Sequence, residues 1–218
     1  MIVINFKAYF EGFGKNALEL AKIAEEVAEK SGVYIAVAVN YLDLPLIARE
    51  VSIDVFAQHI DAVDFGSFTG AVNAEMIKEY GAKGSLLNHS EKRMKLADID
   101  FCISKMRKLG LISIVCTNNV STTRAVAALK PDFVAVEPPE LIGTGIAVSK
   151  AKPEIVEKSV RSAKEICSDI KVLCGAGITG YEDYIRALEL GADGVLLASG
   201  VVKAKDKKRA LEDLVGLR

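Results

Sequence analysis

Polar residues able to do chemistry are scarce in this chain, and they recur at one kind of place, the end of a short apolar run. Asn5 and Lys7 close the first run, His89 follows another, and Glu137 ends Phe133-Val-Ala-Val. Two glycine-rich turns, Gly175-Ala-Gly177 and Ala198-Ser-Gly200, close two more. A carboxylate drawn partly out of water at the end of an apolar run suits a general base near neutrality. His89 precedes Ser90-Glu-Lys-Arg, which reads as a helix start with Ser90 as N-cap. A helix N-terminus disfavours imidazolium, so the ring is expected to be neutral and to donate a hydrogen bond. Lys7 is a point positive charge that complements a phosphate or a developing oxyanion. The glycine turns bring backbone N–H groups close to an anion. A base, a neutral electrophile, a cation and a phosphate cradle fit proton abstraction next to a carbonyl in a small phosphorylated substrate. Each residue alone also has a plainer reading: a salt-bridged strand-end Glu, a capping His, a solvated Lys, glycines that only make tight turns. His59, in Ala-Gln-His-Ile-Asp, is read as structural.

Converging these residues requires elements that end together. Eight apolar, β-branched runs are strand candidates: Ile2–Phe6, Val33–Val39, Ile53–Ala57, Lys83–Asn88, Leu111–Cys116, Asp132–Glu137, Lys171–Gly175 and Asp193–Ala198. Most are too uniformly apolar to have a wet face, as in parallel strands covered on both sides. Helical periodicity fills the gaps. Ala17, Leu20, Ala21, Ala24, Val27 and Ala28 share one face. Ile155, Val156, Ser159, Val160, Ala163 and Cys167 repeat the pattern after Pro153, a residue suited to a first helical turn. Thr179 and Glu182 have capping-box spacing, and the helices after the second and fourth strands look short. The 218 residues give about 27 to each of eight strand–helix units, so a single domain over 1–218 is expected. Alternating units allow an open doubly wound sheet or a closed (βα)8 barrel, and eight units favour the barrel. Gly81-Ala-Lys-Gly-Ser-Leu-Leu and Gly191-Ala-Asp-Gly-Val-Leu-Leu match at five of seven positions, 110 residues apart, which agrees with repeated units. In such a barrel, functional residues belong just after strand C-termini, where the polar set lies. Gly143-Thr-Gly145, directly after Glu137-Pro-Pro-Glu-Leu-Ile, reads as a small-residue tip on a stiff hinge, a lid that excludes water.

Composition narrows the alternatives. Lys plus Arg total 28 against 29 Asp plus Glu, a net charge of −1. That balance argues against nucleic acid as the main partner and against a polybasic membrane anchor. Half the residues are hydrophobic, enough for a substantial core and against disorder. No run approaches the ~18–20 apolar residues of a spanning helix. Met1–Phe6 reads as a strand and not a signal peptide. Cys102, Cys116, Cys167 and Cys174 form no C-x-x-C and sit in apolar stretches, which suggests buried free thiols and a cytoplasmic location. No metal-ligand spacing and no G-x-G-x-x-G after the first strand occur, so neither metal nor cofactor is expected. The basic run Lys203–Arg209 is read as a solvated helix start.

The motifs together resemble one family. Asn5-Phe6-Lys7 resembles the N-x-K of triosephosphate isomerases, and Asn88-His89-Ser90-Glu91-Lys92-Arg93 resembles their G-H-S-E-R-R. Val136-Glu137-Pro138-Pro139-Glu140-Leu141-Ile142-Gly143-Thr144-Gly145 resembles the base and flexible lid, and Ser67-Phe68-Thr69-Gly70 the A-F-T-G loop that in relatives reaches into a neighbouring subunit. The motifs run in family order from Asn5 to Ser199 and match the short archaeal type. The resemblance implies a (βα)8 TIM barrel, an isomerase of glycolysis and gluconeogenesis, and reversible interconversion of dihydroxyacetone phosphate and D-glyceraldehyde 3-phosphate through an enediol(ate). It implies Glu137 as base, His89 as electrophile, Lys7 as electrostatic contributor, Asn5 at the substrate and Glu91 positioning Lys7. It further implies substrate contacts at Asn5, Phe6, Lys7, Ile142, Gly143, Gly177, Ala198 and Ser199, and a homotetramer ahead of a homodimer. The chain departs from the pattern in four ways. Asn88 stands where the family usually has Gly. Cys174-Gly-Ala-Gly-Ile178 replaces Y-G-G-S-V and lacks its serine. The common lid Trp is absent near Leu141, and the chain is short. Two competing readings are another phosphate-handling barrel enzyme, of indole-glycerol-phosphate or phosphoribosyl type, and a catalytically dead barrel kept for binding. The first shares the glycine cradle but not Asn5-x-Lys7 with His89 and Glu137.

Overall fold

Strands of this chain bury both faces because every residue of most of them is apolar or small, and a parallel sheet wrapped in helices is the arrangement that removes both faces from water. A computed structural model describes residues 1–138, 147–175 and 177–217, apart from the side chain of Val148. Eight parallel strands close into a barrel in sequence order, the last pairing with the first. They are β1 (Ile2–Asn5), β2 (Ile35–Val39), β3 (Val55–Ala57), β4 (Gly84–Leu87), β5 (Ile112–Thr117), β6 (Phe133–Val136), β7 (Lys171–Gly175) and β8 (Gly194–Leu197). All eight expected strands are present, most trimmed by a residue or two where ladder bonding stops.

The outer layer is helical. The helices are α1 (Lys15–Ser31), α2 (Leu44–Glu50), α3 (Ala74–Glu79), α4 (Leu96–Leu109), α5 (Val120–Ala127), α6 (Val148–Ala151), α7 (Pro153–Ile166), α8 (Tyr181–Glu189), α9 (Ser199–Val202) and α10 (Lys207–Val215). A short helix after the second strand is observed (α2), whereas the one after the fourth, α4, is among the longer ones. Ser90 starts no helix; α4 begins only at Leu96, with Lys95 as N-cap. The expected capping box also fails. Gly180 caps α8 without a side-chain bond, and the Thr179 hydroxyl donates instead to Asp183 Oδ2 at 2.9 Å. Lys207 opens α10 after Asp206, which accepts from Arg209 N–H, so the basic run does reach a helix start. Three cysteines are buried, and Cys167 is partly exposed.

Alternation along the strands sorts the core into two. Val3, Phe56, Leu86, Ile114, Phe133, Leu173 and Leu196 fill the barrel interior. Ile2, Ile4, Val37, Val55, Leu87 and Val195 face the helices. Each such burial contributes about 1.5–3 kcal/mol. The internal repeat has a structural cause. Gly81 and Gly191 are left-handed, φ 88° and 90°, and each closes a helix with the same pair of bonds from the glycine and the following alanine. The second glycine of each copy, Gly84 or Gly194, sits where a Cβ would lie 2.0 or 2.3 Å from a neighbouring carbonyl. Identical turns thus demand the same residues at both places.

Candidate active site

Counting by twos from the barrel interior reaches the mouth. Val3 leads to Asn5, Phe56 to Gln58, Ile114 to Cys116, Ala135 to Glu137 and Leu173 to Gly175. The same alternation turns Phe6 the other way. Its side chain is fully buried in the layer between barrel and helices, so a substrate contact by Phe6, as the resemblance implies, would be made by its backbone between Asn5 and Lys7.

Lys7 is held by its backbone. Its φ is +52°, a conformation costing an L-residue on the order of 1 kcal/mol. Asn5 Oδ1 accepts from Lys7 N–H at 3.0 Å, and Gln58 Nε2 donates to Lys7 O at 3.1 Å and to Ala38 O at 3.1 Å. The side chain is 10% exposed, and Nζ lies 2.8 Å from Glu91 Oε1.

His89 is buried. Its Nδ1 accepts from the Glu91 backbone N–H at 3.2 Å. Glu91 Oε2 stands 3.4 Å from the same nitrogen. The backbone contact is the shorter, and a proton on Nδ1 would meet that N–H head-on, so Nδ1 carries a lone pair. The ring is then neutral with its proton on Nε2. Neutrality thus comes from one backbone N–H and not from the helix end that the sequence suggests.

Nε2 points at Glu137 Oε2 across 3.6 Å, too far for a hydrogen bond. Both atoms are buried without a partner. Such orphans are rare in native proteins, and two facing each other at a barrel mouth leave a place for a ligand to pair with both. Glu137 is fixed from its backbone, whose N–H donates to Thr117 O at 2.8 Å. The Cys116 thiol lies near enough to feel the charge of its carboxylate. Burial and then the Glu137 charge push the Cys116 thiol up, and they push Cys174 up to about 12. Both sulfurs therefore stay protonated beside the carboxylate. Gly175 supplies room: a Cβ there would sit 2.3 Å from Glu137 Cγ.

Asn5, Lys7, His89 and Glu91 line a cavity of about 220 Å³, and Glu137 adjoins it through His89. Asn40, Tyr41, His59 and Lys92 continue the wall. His59 has a structural anchor as expected, 3.3 Å from Asp61 Oδ1, and also borders this cavity. Burial, with the charge of Lys92, holds its imidazole below the usual range, hence neutral. Gly177, at φ 71°, and Ala198 with Ser199 lie on the turns after β7 and β8, at the same mouth. Ile142, Gly143 and the rest of the expected lid, 139–146, lie outside the described residues. Among the described residues no three His, Cys, Asp or Glu side chains gather as metal ligands would. The sequence reading missed Gln58, and it took Cys116 only as a buried thiol and Gly175 only as part of a phosphate-cradling turn; the two-residue alternation from the apolar interior was the signal that places all three beside the site.

A carboxylate facing a neutral imidazole N–H, with a fixed cation beside them, can move a proton from carbon and back while polarising a carbonyl. Carried at the mouth of a (βα)8 barrel, that arrangement defines a proton-transferring sugar-phosphate isomerase class. A family profile described as triosephosphate isomerase matches residues 1–216. Relatives named triosephosphate isomerase include one from Archaeoglobus fulgidus, 72% identical over 217 residues, covering 100% of this chain and 97% of that protein. Another, from Methanocaldococcus jannaschii, is 60% identical and covers 99% of this chain and 98% of its own length. A third, from Methanothermus fervidus, is also 60% identical, over 99% and 97%. The chain belongs to the triosephosphate isomerase family and is an isomerase of triose phosphates.

Proposed function

We propose that this chain interconverts D-glyceraldehyde 3-phosphate and dihydroxyacetone phosphate with Glu137 as the base. Glu137 takes the proton from one carbon of the C1–C2 pair and returns it to the other. The Nε2–H of His89 polarises the carbonyl and shuttles protons between the enediol oxygens. Lys7 lends positive charge to the substrate and the enediolate, Asn5 contacts the substrate, and Glu91 positions Lys7. Ile142 and Gly143 of the lid, with Gly177, Ala198 and Ser199, hold the phosphate. Substrate and product are isomers, so atoms and electrons balance without an external oxidant or reductant. One observation carries this reading: two buried, partnerless atoms, His89 Nε2 and Glu137 Oε2, face each other at 3.6 Å. A substrate satisfies both.

The test is a coupled assay on purified protein. Glu137→Gln should lower kcat roughly 10²–10⁴-fold with little change in KM, because the base acts mainly in the transition state. Unchanged turnover in that variant removes Glu137 from the role.

Self-association, a homotetramer ahead of a homodimer, belongs to the same reading, as do one catalytic domain over 1–218 and a cytoplasmic location. A closed tetramer of two-fold symmetry needs two separate self-complementary surfaces. Exposed Phe10, Leu42, Phe65 and Phe68 on the connections after β1, β2 and β3 support one, and Leu96 with Phe101 on α4 support a second. Four free cysteines suit the cytoplasm, and among the described residues no helix is long and apolar enough to cross a membrane. A single monomeric species by light scattering at working concentration overturns the assembly.

A further inference from the structure

The residue before the electrophile has every one of its polar groups occupied. Asn88 is left-handed at φ 57°, a conformation Asn tolerates better than most L-residues. Its Nδ2 donates to Cys116 O at 2.9 Å, and its Oδ1 accepts from Met94 N–H at 2.9 Å. Its own N–H points at Met94 Sδ, 3.3 Å away, and Arg93 Nη1 donates to its carbonyl at 2.9 Å.

These bonds join three things. The β4–β5 ladder ends at the pair Leu87 and Val115, and Asn88 adds one more cross-link beyond it. The bond to Met94 N–H closes the turn 88–94, which carries His89 and Glu91. The strand on the far side, β5, also holds the base: the Thr117 carbonyl, next to Cys116, accepts from Glu137 N–H at 2.8 Å. One side chain therefore spans the turn that holds the imidazole and the strand that backs the base. A glycine, the residue the family pattern has here, would supply the left-handed backbone and none of these bonds.

We propose that Asn88 is a positioning residue that sets the separation of His89 from Glu137 by stitching the His89 turn to the end of β5. Among the described residues its hydrogen bonds reach neither Lys7 nor the turns after β7 and β8. Its loss therefore acts on the chemical step and leaves substrate affinity largely alone. The proposal rests on the Glu137 and His89 roles given above, and its second readout does not depend on them.

The experiment compares Asn88→Gly and Asn88→Asp with the parent protein. Asn88→Gly keeps the backbone conformation without the cross-links. Asn88→Asp keeps an acceptor for Met94 N–H and sets a carboxylate oxygen against Cys116 O. Kinetics with glyceraldehyde 3-phosphate should give kcat lower by about 10-fold in both, with KM within about twofold, as expected for a small misplacement of reacting groups. Nitrogen NMR of His89 supplies the activity-independent readout. The parent should give one resonance pair for the Nε2-protonated ring, and the variants a broadened or averaged pair as the Glu91 N–H contact loosens. Parent-like kcat with a parent-like His89 spectrum in Asn88→Gly overturns the proposal. So does a loss carried entirely by KM. If Asn88→Gly does not fold, Asn88→Asp decides by the same criteria. A parent protein inactive on triose phosphates defeats the assigned function, while the NMR comparison still tests the stitch.

Discussion

The two ends of the barrel handle strain and polarity differently. Where helices turn back into strands, four of the five left-handed residues are glycines, Gly32, Gly81, Gly110 and Gly191, with Lys130 the exception. Polar groups there are matched. Asp132 Oδ2 accepts from Ser113 N–H and Oγ at 2.8 Å each, Asp193 Oδ2 accepts from Val172 N–H at 2.8 Å, and Tyr34 hydroxyl donates to Asp54. At the mouth, Lys7 and Asn88 take left-handed conformations without being glycine, and two buried atoms face each other unpaired. The other two orphaned atoms among the described residues, Glu75 Oε2 and Ser159 Oγ, belong to the helical layer. Strain and unmet hydrogen bonds persist only where the surroundings enforce them. At the mouth the two orphaned atoms face each other, where a ligand would pair with both, and the opposite end supplies stability that tolerates the cost.

Substitutions at the two ends should therefore separate activity from stability. The largest effect is expected at Gly175. A Cβ 2.3 Å from Glu137 Cγ must displace the base, so Gly175→Ala should cut kcat on the order of 100-fold in the coupled assay. Parent-like kcat there would mean that the base has slack. Next is Gln58→Leu, which removes the donor from Lys7 O. With that carbonyl released, Lys7 can leave φ 52°, and KM should rise about 10-fold with a smaller change in kcat. At the other end, Asp132→Ala removes two accepted bonds at an exposed residue. It should cost about 1 kcal/mol in denaturant unfolding and leave kcat unchanged. The smallest effect is Lys130→Gly. Relief of the left-handed backbone outweighs the added unfolded-state freedom of glycine, for a net gain of about 0.5 kcal/mol with parent-like kinetics. A loss of activity from Asp132→Ala or Lys130→Gly would break the division between the ends.

Much of the site was legible because chemistry-bearing residues are so few at strand ends. Asn5, Lys7, His89, Glu91 and Glu137 meet around one cavity edge, with Gly177, Ala198 and Ser199 on neighbouring turns at that mouth. Ser90 misled because Ser-Glu-Lys-Arg has helix-start composition, yet Arg93 and Met94 are bound back to Asn88, which delays α4 to Leu96. Gln58 escaped because an amide carries no motif of its own, and the places of Cys116 and Gly175 beside Glu137 because a thiol in an apolar run and a glycine in a turn do not show which side chain they adjoin.

By itself the sequence determined the parallel barrel, since uniformly apolar strands separated by amphipathic segments have few other ways to leave water. It also determined the short list of groups able to act. Tertiary structure decided how they act. The tautomer of His89 depends on one backbone N–H, the reach of Lys7 on a strained φ secured by Gln58, and the stance of Glu137 on the space left by Gly175. Those are ångström-scale relations between residues far apart in the chain, and residue type and spacing alone do not encode them.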